Sequence, residues 1–125
     1  EVNKLAAGAG AGGDAGVRSQ MAKSLEEHLT DAGFSLSAMA DELGYSISYL
    51  STLFKRHFGA NFRDYFLDLR LGRAKILLLS TRMKNYEIAA AVGIDDPNYF
   101  SVCFRRKYGK TPTAFRTEAG HGKEA

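Results

Sequence analysis

The chain has 125 residues, a hydrophobic fraction of 45% and a formal net charge of +3. This length accommodates one domain with a modest core, and the sequence contains neither a signal-peptide pattern nor an apolar run of roughly 18 residues that would predict a membrane span. The single cysteine, Cys103, excludes an internal disulfide and fits a reducing cytosol. Because the chain lacks an initiator methionine, we expect it to be part of a longer protein.

The positive charge is concentrated in one part of the chain. Residues 36–118 contain 13 Lys and Arg against 8 Asp and Glu, a net +5, whereas residues 1–35 contain 3 against 5, a net −2. A surface that binds phosphates requires such a concentration. A solvated basic face would have the same composition, so the charge alone leaves the partner open.

The first part of the chain predicts a linker followed by a helix. Residues 1–16 are rich in Gly and Ala, and we interpret them as a flexible linker. From residue 17 onward, apolar side chains recur at helical spacing, which predicts a helix that ends at Gly33. These side chains are Val17, Met21, Leu25 and Leu29.

Residues 35–58 have the pattern of a helix-turn-helix. Ser35 is a suitable N-cap for a helix from Leu36 to Leu43, and Gly44 provides the turn. Ser46 then caps a second helix, from Ile47 to Phe58, which is the first candidate recognition helix.

A long helix is predicted for residues 62–80, and its apolar residues form two arcs. One arc contains Phe62, Tyr65, Phe66, Leu69, Ile76 and Leu77, and the other contains Leu67, Leu71, Ala74 and Leu78. A helix that is apolar on two sides is expected to lie between two other bodies. Nineteen residues at ~1.5 Å each span roughly 30 Å, close to the ~34 Å rise of one DNA turn. We therefore expect this helix to hold two recognition helices over adjacent major grooves.

A second helix-turn-helix is predicted at residues 86–108, with a first helix from residue 86 to residue 92 and a turn at Gly93. Asp96 is the N-cap of its second helix, Pro97 occupies the first helical position, and Gly109 is the C-cap. Residues 111–116 start a last short helix, and residues 120–125 are expected to be a disordered tail.

The two helix-turn-helix segments are copies of one unit. Leu43-Gly44 aligns with Val92-Gly93, and after the turn the offset becomes 50 residues. Tyr49, Leu50, Ser51, Phe54 and Gly59 then align with Tyr99, Phe100, Ser101, Phe104 and Gly109, and Lys55-Arg56 aligns with Arg105-Arg106. Such self-similarity indicates one supersecondary unit used twice. The fold class predicted from the residues is therefore all-α, with about seven helices and two helix-turn-helix subdomains joined by the long helix.

Three segments resemble the DNA-binding domain of the AraC/XylS family of bacterial transcription regulators. They are A-D-E-L-G-Y-S-x-S-Y-L-S-x-L-F-K from Ala40, R-L-x-x-A-x-x-L-L from Arg70, and I-A-x-x-V-G-I-D-D-P-N-Y-F-S-x-x-F-R-R-K-Y-G-K-T-P-x-x-F-R from Ile88. Ile94 stands where an aromatic residue is usual, and Phe115 where Tyr is usual; both remain apolar. The resemblance implies a DNA-binding domain at residues 17–119.

The same resemblance implies the wider context of the domain. It would be the C-terminal output domain of a cytoplasmic, nucleoid-associated regulator, more often an activator, and would bind double-stranded DNA. An N-terminal sensory or dimerisation domain would precede the linker, and RNA polymerase would be a further partner. No cofactor, metal or membrane partner is implied.

The residues expected to meet base edges lie on the outward side of the two candidate recognition helices, and the resemblance points to the same positions. They are Ser48, Tyr49, Ser51, Thr52, Asn98, Ser101, Val102 and Arg105. Asn98 can pair with adenine, Arg105 with guanine or phosphate, and Val102 can touch a thymine methyl group. Tyr49 and Tyr99 fit a packing role somewhat better than base reading, because tyrosine buries its ring and keeps its hydroxyl in water.

A second set of residues is expected at phosphates, through side chains or through the backbone amides at the helix starts. It contains Ser46, Lys55, Arg56, Asp96, Arg106 and Lys107. Arg70 and Arg73 could also contact the DNA backbone, but an internal ion pair with Asp64, Asp68 or another acidic residue is the favoured interpretation.

The sequence also bears on two other classes of function, catalysis and protein interaction. The chain offers no paired nucleophile and base, no phosphate-binding loop and no metal-ligand cluster, and its three His residues are scattered, so we expect no catalysis. A helical protein-interaction module that binds a partner through exposed apolar edges of the long helix remains the alternative to DNA binding.

Overall fold

The computed structural model describes residues 13–120, within which the chain folds into seven α-helices and no strands, confirming the predicted fold class. The helices are α1 (Gly13–Glu27), α2 (Leu36–Leu43), α3 (Ile47–Phe58), α4 (Phe62–Ser80), α5 (Asn85–Ala91), α6 (Pro97–Tyr108) and α7 (Pro112–Glu118). In the described residues, no helix combines the length and apolar character that crossing a membrane would require.

Local capping fixes the ends of the two predicted recognition helices. Ser46 Oγ accepts a hydrogen bond from Tyr49 N at the start of α3, and Asp96 Oδ1 accepts one from Asn98 N at the start of α6. These caps satisfy backbone donors that a helix leaves without intrahelical partners. The bounds of α3 and α6 are therefore those that the sequence predicts.

The helices belong to two units, and the first contains residues 13–28 and 34–66 of the described chain. Its core is formed by α1, α2, α3 and the start of α4. The buried residues are Val17, Met21, Leu25, Met39, Ala40, Leu50, Leu53, Phe54, Phe62 and Phe66. α1 thus packs against both helices of the first helix-turn-helix.

The second unit contains residues 29–33 and 67–120 of the described chain. Its core combines α4 residues with both helices of the second helix-turn-helix. The buried cluster is Leu71, Ala74, Leu78, Ile88, Ala89, Val92, Ile94, Phe100, Cys103 and Phe104. Phe115 of α7 packs edge-on against Phe104, with ring centroids 5.5 Å apart.

The boundaries predicted for the first helix differ from the structure at both ends. α1 begins at Gly13, inside the predicted linker 1–16, because extending an existing helix costs far less than nucleating one. Residues 1–12 and 121–125, which carry the rest of the predicted linker and the tail, lie outside the described residues. α1 ends at Glu27 rather than at Gly33, and residues 29–33 belong to the second unit.

Two smaller differences concern α4 and α5. Ile76, predicted on an apolar arc, is 58% exposed. It follows the fully buried Ala74 by two positions, which is about 200° around a helix, so it lies on the opposite side. α5 spans Asn85–Ala91, one residue earlier than predicted, because Glu87 Oε1 accepts the Lys84 N–H and closes the first turn from there.

Candidate nucleic-acid interface

The helix α3 buries one side and exposes the side predicted to read bases. Leu50, Leu53 and Phe54 are buried in the first unit. The exposed residues of α3 include Ser48, Tyr49, Ser51 and Thr52. Helical periodicity produces this division, since apolar residues three and four positions apart occupy one stripe.

Hydrogen bonding inside α3 limits what these exposed side chains can offer. Thr52 Oγ1 donates to the carbonyl oxygen of Ser48 at 3.1 Å, so its only hydroxyl proton is engaged within the helix. The Tyr49 ring tilts against Tyr45, with centroids 5.4 Å apart. Among these residues, α3 thus presents small hydroxyl groups and one aromatic ring.

The helix α6 repeats the division with stronger base-pairing groups. Phe100, Cys103 and Phe104 are buried in the second unit. The predicted base-reading residues of α6 are exposed except for Ser101, which is half-buried; the exposed ones are Asn98, Val102 and Arg105. An amide, an apolar side chain and a guanidinium can distinguish bases in the major groove.

The two tyrosines that precede the buried Leu50 and Phe100 are not core residues. Tyr49 is 46% exposed and Tyr99 is 43% exposed. Each residue is therefore about half exposed, and the Tyr49 ring also packs against Tyr45. Both rings are therefore accessible to a partner.

The two N-cap residues predicted at phosphates have their side chains engaged in capping. Ser46 Oγ and Asp96 Oδ1 accept backbone amides of α3 and α6. A carboxylate at Asp96 would in addition repel a phosphate. What these positions can offer an anion is therefore the unengaged amides of the first helical turn, where the helix dipole is positive.

The basic residues near the ends of α3 and α6 are exposed but not equivalent. Lys107 Nζ lies 3.4 Å from Asp68 Oδ1 and 5.5 Å from the Tyr108 ring centroid. For Lys55, Arg105 and Arg106, by contrast, no ion pair is formed with any residue between 13 and 120. Lys107 is thus partly neutralised within the second unit, which the sequence did not predict.

Arg70 has an internal role, as favoured from the sequence: it binds backbone carbonyls and lies near acidic residues other than Asp64 and Asp68. Its Nε donates to Leu29 O at 2.9 Å and its Nη2 to Asp31 O at 2.5 Å, so it binds carbonyls of the α1–α2 loop rather than Asp64 or Asp68. Burial lowers the pKa of Arg70, and the nearby carboxylates of Asp31 and Asp95 act in the opposite direction. Arg73 is exposed on α4.

One histidine that looked isolated in the sequence has neighbours in the fold. His28 Nε2 lies 2.8 Å from Glu42 Oε1, and its ring stacks on Phe34 with centroids 4.0 Å apart. Glu27 is close to the same pair. Since His28 follows α1 and Glu42 lies in α2, this contact links two helices of the first unit.

Comparisons with known proteins agree with the fold and the exposed helices. A family model described as "Helix-turn-helix domain" matches residues 39–118. The arabinose operon regulatory protein of Escherichia coli K12 is 36% identical over 92 residues, which cover 74% of this chain and 32% of that protein. The transcriptional activator RhaR of Cronobacter sakazakii is 34% identical over 90 residues, which cover 72% of this chain and 32% of that protein. The chain thus spans about a third of the length of these relatives.

Solved structures with the same fold also belong to regulators. The C-terminal domain of the two-component response regulator yesN from Fusobacterium nucleatum has 44% identity and a TM-score of 0.78, covering 81% of this chain and 98% of that one. A transcriptional regulator of the AraC-type DNA-binding domain-containing proteins, from Chromobacterium violaceum, has 28% identity and a TM-score of 0.71, covering 85% and 96%. The chain therefore belongs to the AraC-type family of helix-turn-helix DNA-binding domains.

Proposed function

We propose that this domain binds duplex DNA sequence-specifically as the output domain of a transcription regulator, with α3 and α6 as its recognition helices. The observation that carries the proposal is the exposed row of Asn98, Val102 and Arg105 on α6, opposite the buried Phe100 and Phe104. Nothing in the packing of the second unit requires an amide, a valine and a guanidinium on this side. Together they have the chemistry that reads base edges in the major groove.

The relatives support the regulatory context. One is named as an operon regulatory protein and one as a transcriptional activator, and the yesN structure is the C-terminal domain of a response regulator. By analogy, this domain would act behind an N-terminal sensory or dimerisation domain and would favour activation. Contact with RNA polymerase would then be part of its action.

The duplicated unit supports a bipartite DNA site. Both copies contain a capped second helix with an outward polar side, and α4 continues unbroken through 19 residues between them. We propose that α3 and α6 enter adjacent major grooves, so that the target contains two half-sites about one helical turn apart, roughly 10 base pairs. The half-site read by α6 is expected to be the more stringent, because α3 presents mainly hydroxyl groups.

An electrophoretic mobility shift with heparin as competitor tests the proposal. The 125-residue chain should select a bipartite duplex from a random pool and retain it at low salt. A protein-interaction module would form no such complex. That alternative would also be indicated if the selected sequences contained no common motif.

Substitution of the α6 reading residues tests base recognition. Asn98→Ala and Arg105→Ala are each expected to weaken binding to the selected site by about 1–3 kcal/mol, the usual contribution of a bidentate base contact. Binding to random duplex should change much less. An equal loss on both duplexes would show that the side chain does not read a base.

The salt dependence of binding should distinguish two neighbouring cations on α6. Arg106→Ala is expected to reduce the slope of log K against log salt by about one, because one phosphate contact is lost. Lys107→Ala should reduce it less, since Asp68 already lies 3.4 Å from the Lys107 ammonium. Titration of both variants at several salt concentrations provides the comparison, and equal slopes would contradict the assignment.

A further inference from the structure

Thr52 and Val102 occupy the same position in the two copies of the unit. α3 begins at Ile47 and α6 at Pro97, both are 12 residues long, and each of these residues is the sixth of its helix. Each lies immediately before two buried residues, Leu53 and Phe54 in α3, and Cys103 and Phe104 in α6. Equivalent positions in a duplicated unit face equivalent surroundings.

The fold does not explain why a valine occupies position 102. It is 54% exposed, and valine is a poorer helix former than alanine or the long straight side chains usual at exposed positions. An apolar, stiff side chain with one favoured rotamer is costly in water but well suited to a fixed apolar contact. It lies between Asn98 and Arg105 in the row that is proposed to face DNA.

Thr52 resembles Val102 more closely than its chemistry suggests. Its hydroxyl donates to Ser48 O at 3.1 Å, so the hydroxyl proton is not available to a base. Threonine and valine have the same branched shape, and the branch of Thr52 that makes no such bond is a methyl group. Both helices therefore carry a β-branched methyl group at the same exposed position.

We propose that Thr52 and Val102 are a matched pair of readers of the pyrimidine C5-methyl group, one in each half-site. This inference rests on the proposed function, and it adds the chemical class that each recognition helix selects at its sixth residue. The C5-methyl group of thymine projects into the major groove and is recognised by apolar contact. 5-Methylcytosine carries the same group at the same place, so a methylated cytosine would satisfy the same reader.

The test uses the duplex that the 125-residue chain selects from a random pool. Each thymine is replaced in turn by deoxyuridine, which removes only the methyl group. One replacement in each half-site should weaken binding by roughly fourfold, the value expected for one buried methyl group. Replacing the same thymine·adenine pair by cytosine·guanine should weaken binding further, and 5-methylcytosine should recover part of that loss.

Variants of the two residues test the same methyl contact from the protein side. Val102→Ala and Thr52→Ser remove methyl groups from the protein, and each should abolish the effect of deoxyuridine in its own half-site while leaving the other half-site sensitive. Thr52→Val provides the matched control, because it keeps the methyl group and removes the hydroxyl. It should keep the response to deoxyuridine in its own half-site, which Thr52→Ser loses. Both substituted positions are exposed, so thermal unfolding should be unaltered in all three variants.

The outcomes separate this inference from the proposed function. If the chain selects a duplex but no thymine is sensitive, or if Val102→Ala and the unmodified chain lose equally on deoxyuridine, the methyl reading is overturned while DNA binding stands. If Val102→Ala abolishes the deoxyuridine effect in its half-site but Thr52→Ser does not abolish it in the other, the matched pair is overturned. If no duplex survives heparin, both the inference and the proposed function are overturned.

Discussion

Replacing Gly93 with alanine is expected to destabilise the domain by about 2–5 kcal/mol. Gly93 has φ +83°, a conformation that costs an L-residue about 1–2 kcal/mol. A Cβ at this position would also lie 3.0 Å from Leu29 O and 3.0 Å from Arg70 Nη2. Because the Leu29 oxygen belongs to the backbone, relieving that contact requires a shift of the α1–α2 loop, which adds an overpacking cost of about 1–3 kcal/mol.

The first copy of the unit provides the control for this substitution. Gly44 occupies the equivalent turn with φ +81°, but a Cβ there would meet nothing within 4 Å. Gly44→Ala should therefore show the cost of the backbone conformation alone, about 1–2 kcal/mol. Urea denaturation of both variants measures the difference. Equal losses would mean that the close approach at Gly93 has no energetic consequence.

Replacing Arg70 with leucine is expected to destabilise the domain by about 2–3 kcal/mol. The substitution removes both hydrogen bonds from the guanidinium and leaves Leu29 O and Asp31 O without that donor. Hydrogen bonds to a charged group contribute about 1.5–3 kcal/mol each, and we take the lower end because Arg70 is only half-buried. Arg70→Lys should recover little, since an ammonium cannot reproduce the planar fork of donors.

Arg73→Leu is the matched control, because Arg73 lies three positions further along α4 and is exposed. Its effect on the free energy of unfolding should stay within about 0.5 kcal/mol. Chemical denaturation of the three variants gives the comparison. A loss at Arg73 as large as that at Arg70 would show that the carbonyl contacts do not matter for stability.

The effects of Gly93→Ala and Arg70→Leu on stability should also be coupled. Both substitutions act on one set of contacts, in which the Arg70 guanidinium donates to Leu29 O and lies 3.0 Å from the place that a Cβ of residue 93 would occupy. Removing the guanidinium removes one of the two close contacts that a Cβ at Gly93 would make. The combined variant should therefore lose less stability than the sum of the single variants.

Helix ends were predictable because their signals are local. Ser46 and Asp96 cap α3 and α6, and each bonds an amide only two or three residues away. Gly59 and Gly109 end the same helices in the left-handed conformation. Such interactions depend on the neighbouring sequence alone, so the bounds of both recognition helices followed from it.

Some features of the candidate interface were not predictable, although the residues concerned are exposed as expected. Lys107 was expected at a phosphate, but Asp68, 39 positions earlier, lies beside it. Thr52 was expected at a base edge, but in the fold its hydroxyl donates to Ser48 O. Periodicity indicates which side of a helix a residue occupies and does not indicate which group it will meet there.

The sequence by itself determined the helices, the duplicated unit and the two rows of exposed side chains, because apolar spacing and capping are encoded within one or two helical turns. Only the tertiary structure decided that Arg70 binds the carbonyls of Leu29 and Asp31, and that Gly93 must be glycine for space as well as for its backbone angle. These contacts join residues 23 to 64 positions apart. Their existence depends on how the α1–α2 loop, α4 and the second turn pack within the second unit, and no local pattern in the chain encodes that packing.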